Sequence, residues 1–117
     1  MGRRQSPIFV RTYDFLLWLI PRLVDFPRSQ RGVMARQLRI QAFALYEALV
    51  DAAVCPAGGD PLPELRRADA ELTKLRTYVR MSHELKLFSS GQYEHAARML
   101  AEIGRLLGGW IKKVANE

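Results

Sequence analysis

At 117 residues, 49% apolar and 26% charged, the chain is long enough for one folded domain (residues 1–117) and too ordinary in composition for a disordered tail. A single cysteine, Cys55, excludes an internal disulfide and fits a reducing compartment. The whole +6 formal charge lies in the first 46 residues, where Arg3, Arg4, Arg11, Arg22, Arg28, Arg31, Arg36 and Arg39 face only Asp14 and Asp25; the other 71 residues carry ten bases and ten acids. A basic half joined to a neutral half suggests a scaffold with one face for an anionic partner. Arginine outnumbers lysine 14 to 4, which fits either selection for bidentate phosphate and carboxylate contacts or a nucleotide bias in the source genome.

In chain order, the N-terminus comes first. Met1 to Ser6 matches a loose myristoylation pattern, and Arg3-Arg4 before apolar residues faintly resembles a secretion signal. Arg11 and Asp14 interrupt that stretch, and the uncharged run Phe15–Pro21 is too short for a signal core or a membrane span. The expectation is a soluble, unprocessed, cytoplasmic protein with no membrane contact. A first helix is expected from about Phe9 to Val24, with Phe9, Tyr13, Leu16, Leu17, Ile20 and Val24 at helical spacing and a kink at Pro21. Phe26-Pro27 then breaks the chain, and Pro27 suits the first position of a second helix that runs to about Val54 through Met34, Leu38, Ala42, Leu45 and Leu49.

Cys55 to Pro61 is rich in turn formers and reads as a loop. Asp60 is placed to cap a third helix with Pro61 at its first position. That helix carries Leu65, Ala68, Leu72, Leu75, Val79 and Ser82 in steps of 3-4-3-4-3. Ser89-Ser90-Gly91-Gln92 is a capping box for a fourth helix, whose stripe Tyr93, Ala96, Leu100, Ile103, Leu107, Trp110 and Val114 continues the alternation unbroken. Such heptad spacing is the packing geometry of an all-α, antiparallel up-and-down four-helix bundle. No segment reads as strand, and no internal repeat is visible.

Catalysis needs converging titratable groups, and the sequence offers few. His83-Glu84 and Glu94-His95 are the only histidine pairs, and Leu87 stands where a zinc-binding helix would need its second histidine. Two histidines and one cysteine make no metal cluster, so no catalytic residue, metal or cofactor is expected, and the histidines read as exposed or capping groups near the turn between helices 3 and 4. The arginines of helix 2 are a better lead. At about 100° per residue, Arg28 and Arg39 align across three turns, with Arg31 and Arg36 flanking them. No acidic residue occurs from Pro27 to Tyr46. That face suits either an external anion, bound through phosphates with strong salt dependence, or plain solubility. Helix 3 adds Arg76 and Arg80, with Glu84 a turn beyond Arg80. In helix 4, Gly104 and Gly108 each cost roughly 1 kcal/mol in helix propensity. Beside Trp110 they suit either close packing within the monomer or a subunit interface.

Three stretches carry a resemblance: Phe26-Pro27-Arg28-Ser29-Gln30-Arg31, Leu75-Arg76-Thr77-Tyr78-Val79-Arg80 and, above all, Glu102-Ile103-Gly104-Arg105-Leu106-Leu107-Gly108-Gly109-Trp110-Ile111. They are similar to the accessory variability determinant (Avd) family, small four-helix proteins encoded beside the reverse transcriptase of diversity-generating retroelements. The resemblance spans nearly the whole chain. It implies a homopentameric barrel, strongly basic outside, that associates with the reverse transcriptase and with RNA and DNA while a template repeat is copied into mutagenised complementary DNA. It also implies no catalytic activity of the accessory protein itself. Arg76 and Arg80 would belong to the surface that meets the reverse transcriptase or nucleic acid, and Arg28 and Arg31 would extend it. Gly32 departs from the family pattern, in which many relatives have an apolar residue there. Two alternatives stand beside this one: a four-helix protein of the ribosomal RNA intervening-sequence type, and an oligomeric adaptor that binds only protein.

Overall fold

The computed structural model describes residues 6–117; Arg3, Arg4 and the start of the myristoylation pattern lie outside the described residues. Helix 1 spans Pro7–Val24, beginning two residues earlier than the apolar spacing predicts because Pro7 supplies a ready first turn. It runs through Pro21 to Val24. Helix 2 has three stretches: an α turn Arg28–Gln30, a π segment Arg31–Ala35 and a long α stretch Arg36–Ala53. Helix 3 is Leu62–Glu84 and helix 4 is Ser90–Ala115. No described residue is in a strand.

Contacts between the helices fix their order and direction. Phe9 of helix 1 meets Tyr46, and Leu23 shares a groove with Ala35. Between helices 2 and 3, Gln41 binds Glu71 while Asp51 pairs with Arg67. Tyr93 stacks on His83, and Arg76 reaches the Leu100 carbonyl. Helix 4 closes the ring on helix 1 through Trp110 against Phe9 and His95 against Trp18. Across every pair, residue numbers rise on one helix as they fall on the other, so the four helices pack as an antiparallel bundle.

Its core takes Phe15 and Leu19 from helix 1, Leu38, Leu45 and Leu49 from helix 2, Leu65, Leu72 and Leu75 from helix 3, and Leu100, Ile103 and Leu107 from helix 4. The stripes expected for helices 3 and 4 are therefore found inside, except that Tyr93, Trp110 and Val114 are only half-buried. Helix 1 differs. Of its expected stripe only Leu16 is buried; the inner face is Ile8, Thr12, Phe15, Leu16, Leu19 and Leu23. Thr12 enters this face because its hydroxyl donates to the Ile8 carbonyl at 2.7 Å, which removes the cost of burying it bare. Gln41 is likewise buried with its amide donating to Glu71, and no buried side-chain polar atom among the described residues lacks a partner.

The helix ends show which local rules operate. The box at helix 4 forms as predicted: the Gln92 backbone N–H donates to Ser89 Oγ at 3.1 Å, and the Ser89 N–H donates to Gln92 Oε1 at 2.9 Å. Pro61 is the residue that precedes helix 3, one position later than expected, yet Asp60 still accepts from the Leu62 N–H at 3.0 Å. At the end of helix 3 the Leu87 N–H donates to the Ser82 carbonyl and the Lys86 N–H to that of His83. This is the Schellman pattern, closed here by Lys86 at φ 64° rather than by glycine.

Candidate interaction surface

The sequence-derived arginine face of helix 2 assumed an unbroken α-helix. Within the π segment each turn takes an extra residue, so the step from Arg28 to Arg39 is no longer three α turns. The segment lets Met34 and Ala35 both enter the core ahead of Leu38, with Val33 left outside. Arg28, Arg31, Arg36 and Arg39 are all exposed. Arg31 is tethered, its Nε donating to the Phe26 carbonyl at 3.1 Å, which ties helix 2 to the chain leaving helix 1. Arg31 and Arg39 come together on one groove between helices 1 and 2, with Ile20, Leu23, Val24 and Ala35 as its apolar walls and a volume of about 240 Å³. Arg28 and Arg36 do not line it. Among the described residues no carboxylate is within ion-pair distance of any of the four.

Arg76 and Arg80 are placed differently. Arg76 Nη2 donates to the Leu100 carbonyl at 3.3 Å, while Arg80 faces Glu84 at 3.8 Å with both side chains well exposed. Gly104 makes room for Arg76: a Cβ there would run into Arg76 Nη2 and touch Leu72 Cδ2 at 3.4 Å. Gly108 has nothing within 4 Å of where a Cβ would stand, so no packing within the chain accounts for it. Trp110 is half-buried, edge-on to Phe9 with ring centroids 6.2 Å apart. Together with Ser6, Phe9, Ala53 and Lys113 it lines an open cavity of about 300 Å³.

Several other surface charges are matched within the chain. Arg67 pairs with Asp51 at 2.7 Å and with Glu64, and Lys74 with Glu71. Arg105 grips Glu102 through two nitrogens at 3.0 and 2.6 Å. The Asp51 hydrogen bond raises the Arg67 pKa, and the Arg105 hydrogen bond holds the Glu102 carboxyl below the usual carboxylate range. His83 sits at the turn after helix 3, Nδ1 3.3 Å from the Phe88 carbonyl and its ring stacked on Tyr93. His95 lies against Trp18. Among the described residues no group of three or more His, Cys, Asp or Glu could hold a metal, and no helix is long and apolar enough to cross a membrane.

Sequence spacing missed the outer face of helix 1. Tyr13, Leu17, Ile20 and Val24, expected in the core, are 57%, 56%, 40% and 64% exposed. Helix 1 is apolar on two faces, and periodicity alone cannot choose between them. Arg22 was also missed as more than a charge: its guanidinium lies 5.3 Å from the centroid of the Trp18 ring, within cation–π range.

The fold and this surface define a class first: a small four-helix bundle whose outer seams differ in charge pairing. The chain belongs to the bAvd-like family, whose model matches residues 8–114. No curated protein matches it. Among solved structures it is similar to a protein with unknown function from the S23 ribosomal protein family of Bacteroides thetaiotaomicron, at 18% identity and a TM-score of 0.83 over 92% of this chain and 96% of that one. That likeness concerns the fold alone.

Proposed function

We propose that the protein is a non-catalytic accessory subunit of a diversity-generating retroelement, acting in the cytoplasm. It binds the reverse transcriptase and nucleic acid, RNA and DNA, through its basic surface, and so supports mutagenic complementary-DNA synthesis and retrohoming. The bAvd-like membership supports that setting. The observation that carries the binding role is the set Arg28, Arg31, Arg36 and Arg39, exposed and without a carboxylate partner among the described residues. Unneutralised guanidinium groups on a helical scaffold attract phosphates with little regard for sequence. Arg76 and Arg80 extend the surface on the helix 3 side, held at shorter reach by Leu100 and Glu84. Self-association into a homopentamer, with Gly108 and Trp110 at or near the contact, would concentrate five such surfaces, each chain bringing +6.

The test is a titration of labelled RNA against the protein over a range of salt. Affinity is expected to fall steeply, losing about 10³-fold or more between 50 and 200 mM salt if six or more phosphates are contacted per assembly. Weak binding insensitive to salt would favour an adaptor that binds only protein. Arg76→Ala with Arg80→Ala is expected to reduce co-purification with the reverse transcriptase; full recovery by a folded double variant would remove that pair from the surface.

A further inference from the structure

The groove between helices 1 and 2 combines two features that phosphate binding alone does not explain. Its arginines, Arg31 and Arg39, stand over an aliphatic floor. On the helix 1 side that floor continues into Leu17 and Tyr13, and on the helix 2 side Val33, Ile40 and Phe43 are exposed as well. Nucleic acid rewards cationic groups and aromatic platforms. Branched aliphatic side chains such as Ile20 and Val24 gain nothing from a phosphate and are stabilised only by another apolar surface. Apolar floor with arginine at the edge is instead the composition of a protein interface. At about 240 Å³ the cavity is smaller than typical small-molecule sites of roughly 300–1,000 Å³, which suits inserted side chains rather than a whole ligand.

Charge selects among protein partners. A second copy presenting the same seam would set Arg31 and Arg39 against their own counterparts, and like charges across a contact are costly. A second copy presenting another face brings the same net charge of +6, so setting it on these arginines adds repulsion over the whole chain, which a separate acidic segment does not. The occupant that satisfies both features is apolar on one side and acidic beside it, and a seam between two antiparallel helices accepts it as a helix. Building on the accessory-protein reading for the existence of a protein partner, we infer that the helix 1–helix 2 seam is a docking groove for an acidic amphipathic helix. Its leucine-type side chains enter between Ile20, Val24 and Ala35, and its carboxylates meet Arg31 and Arg39. The tether from Arg31 Nε to Phe26 holds that side chain in place before binding, leaving its two terminal nitrogens for a carboxylate.

The experiment uses the full chain and three synthetic 18-residue helical peptides (about five turns). One carries leucines at i, i+3, i+4 and i+7 flanked by glutamates, one has those leucines changed to serine, and one has the glutamates changed to glutamine. Fluorescence anisotropy is expected to show binding of the first, weakened about tenfold or more in each of the others, since each loses one of two contributing terms. Ile20→Ser with Val24→Ser, both surface changes, is expected to abolish peptide binding, leave RNA affinity unchanged and leave the sedimentation coefficient unchanged. Equal binding of the leucine and serine peptides, or no binding of any, overturns the inference. So does a loss of RNA affinity in the Ser variant, which would return the seam to nucleic acid. A change in its sedimentation would assign the seam to a second copy and is equally fatal. Failure of co-purification with a reverse transcriptase, by contrast, bears on the accessory role and leaves the peptide result standing.

Discussion

The two outer seams of this bundle are built on opposite plans. Where helix 3 meets helices 2 and 4, three basic side chains are engaged: Arg67 with Asp51, Lys74 with Glu71, Arg76 with the Leu100 carbonyl. Beyond them on the same helices, Arg80 meets Glu84 and Arg105 meets Glu102. Between helices 1 and 2, Arg31 and Arg39 have no carboxylate among the described residues, and the aliphatic side chains beside them face outward. The first seam is finished within the chain. The second is not, and the difference teaches where a partner is to be sought more directly than net charge does.

The largest test of that contrast lies in helix 1, whose two apolar faces should behave as core and surface. Leu19→Ala is expected to cost about 2–5 kcal/mol, because Leu19 is fully buried, whereas exposed Leu17→Ala should stay within about 0.5 kcal/mol. Urea denaturation of both at one protein concentration checks this, and equal costs would erase the distinction between the faces. Next come the glycines of helix 4. Gly108→Ala should stabilise by about 1 kcal/mol, since the new methyl meets nothing within the chain. If Gly108 faces another subunit, the same change should also weaken self-association, which sedimentation would detect. Gly104→Ala should lack the gain, because its methyl displaces Arg76, and adding Arg76→Ala should restore it.

A smaller effect is expected at Lys86, where a left-handed lysine closes helix 3. Lys86→Gly should raise stability by on the order of 0.5 kcal/mol, relief of the backbone cost being partly offset by a freer unfolded chain. The smallest concerns Glu102, held below the usual carboxylate range first by the hydrogen bond from Arg105 and then by its charge. A depressed folded value means the contribution is full above the ordinary carboxylate range and is lost as pH falls through the folded value. Glu102→Gln should therefore lower the thermal midpoint slightly at pH 7 and not in stronger acid. A deficit that persists in acid would point to lost packing instead.

Much of the fold was legible in the sequence because its signals are local. Ser89 and Gln92 form their box from residues three apart, and the stripes of helices 3 and 4 have only one apolar face to bury. Helix 1 defeats the same reasoning because Phe15, Leu19 and Leu23 lie on one face and Leu17, Ile20 and Val24 on another, equally apolar by composition. The π segment was not legible either, since its extra residue follows from seating Met34 and Ala35 together in the core. Arg76 and Gly104 are far apart along the chain, and nothing in either helix alone says that the glycine houses the guanidinium.

By itself, then, the sequence determined four helices, the capped start of helix 4, the all-α class and the concentration of arginine before residue 46, because capping, turn chemistry and charge are properties of neighbouring residues. Which apolar face of helix 1 is buried was decided only by tertiary structure. So was the way Arg31 and Arg39 are brought over Ile20 and Val24 while Arg76 reaches across to the Leu100 carbonyl of helix 4. Those outcomes depend on which helix lies alongside which, and a one-dimensional pattern has no term for that.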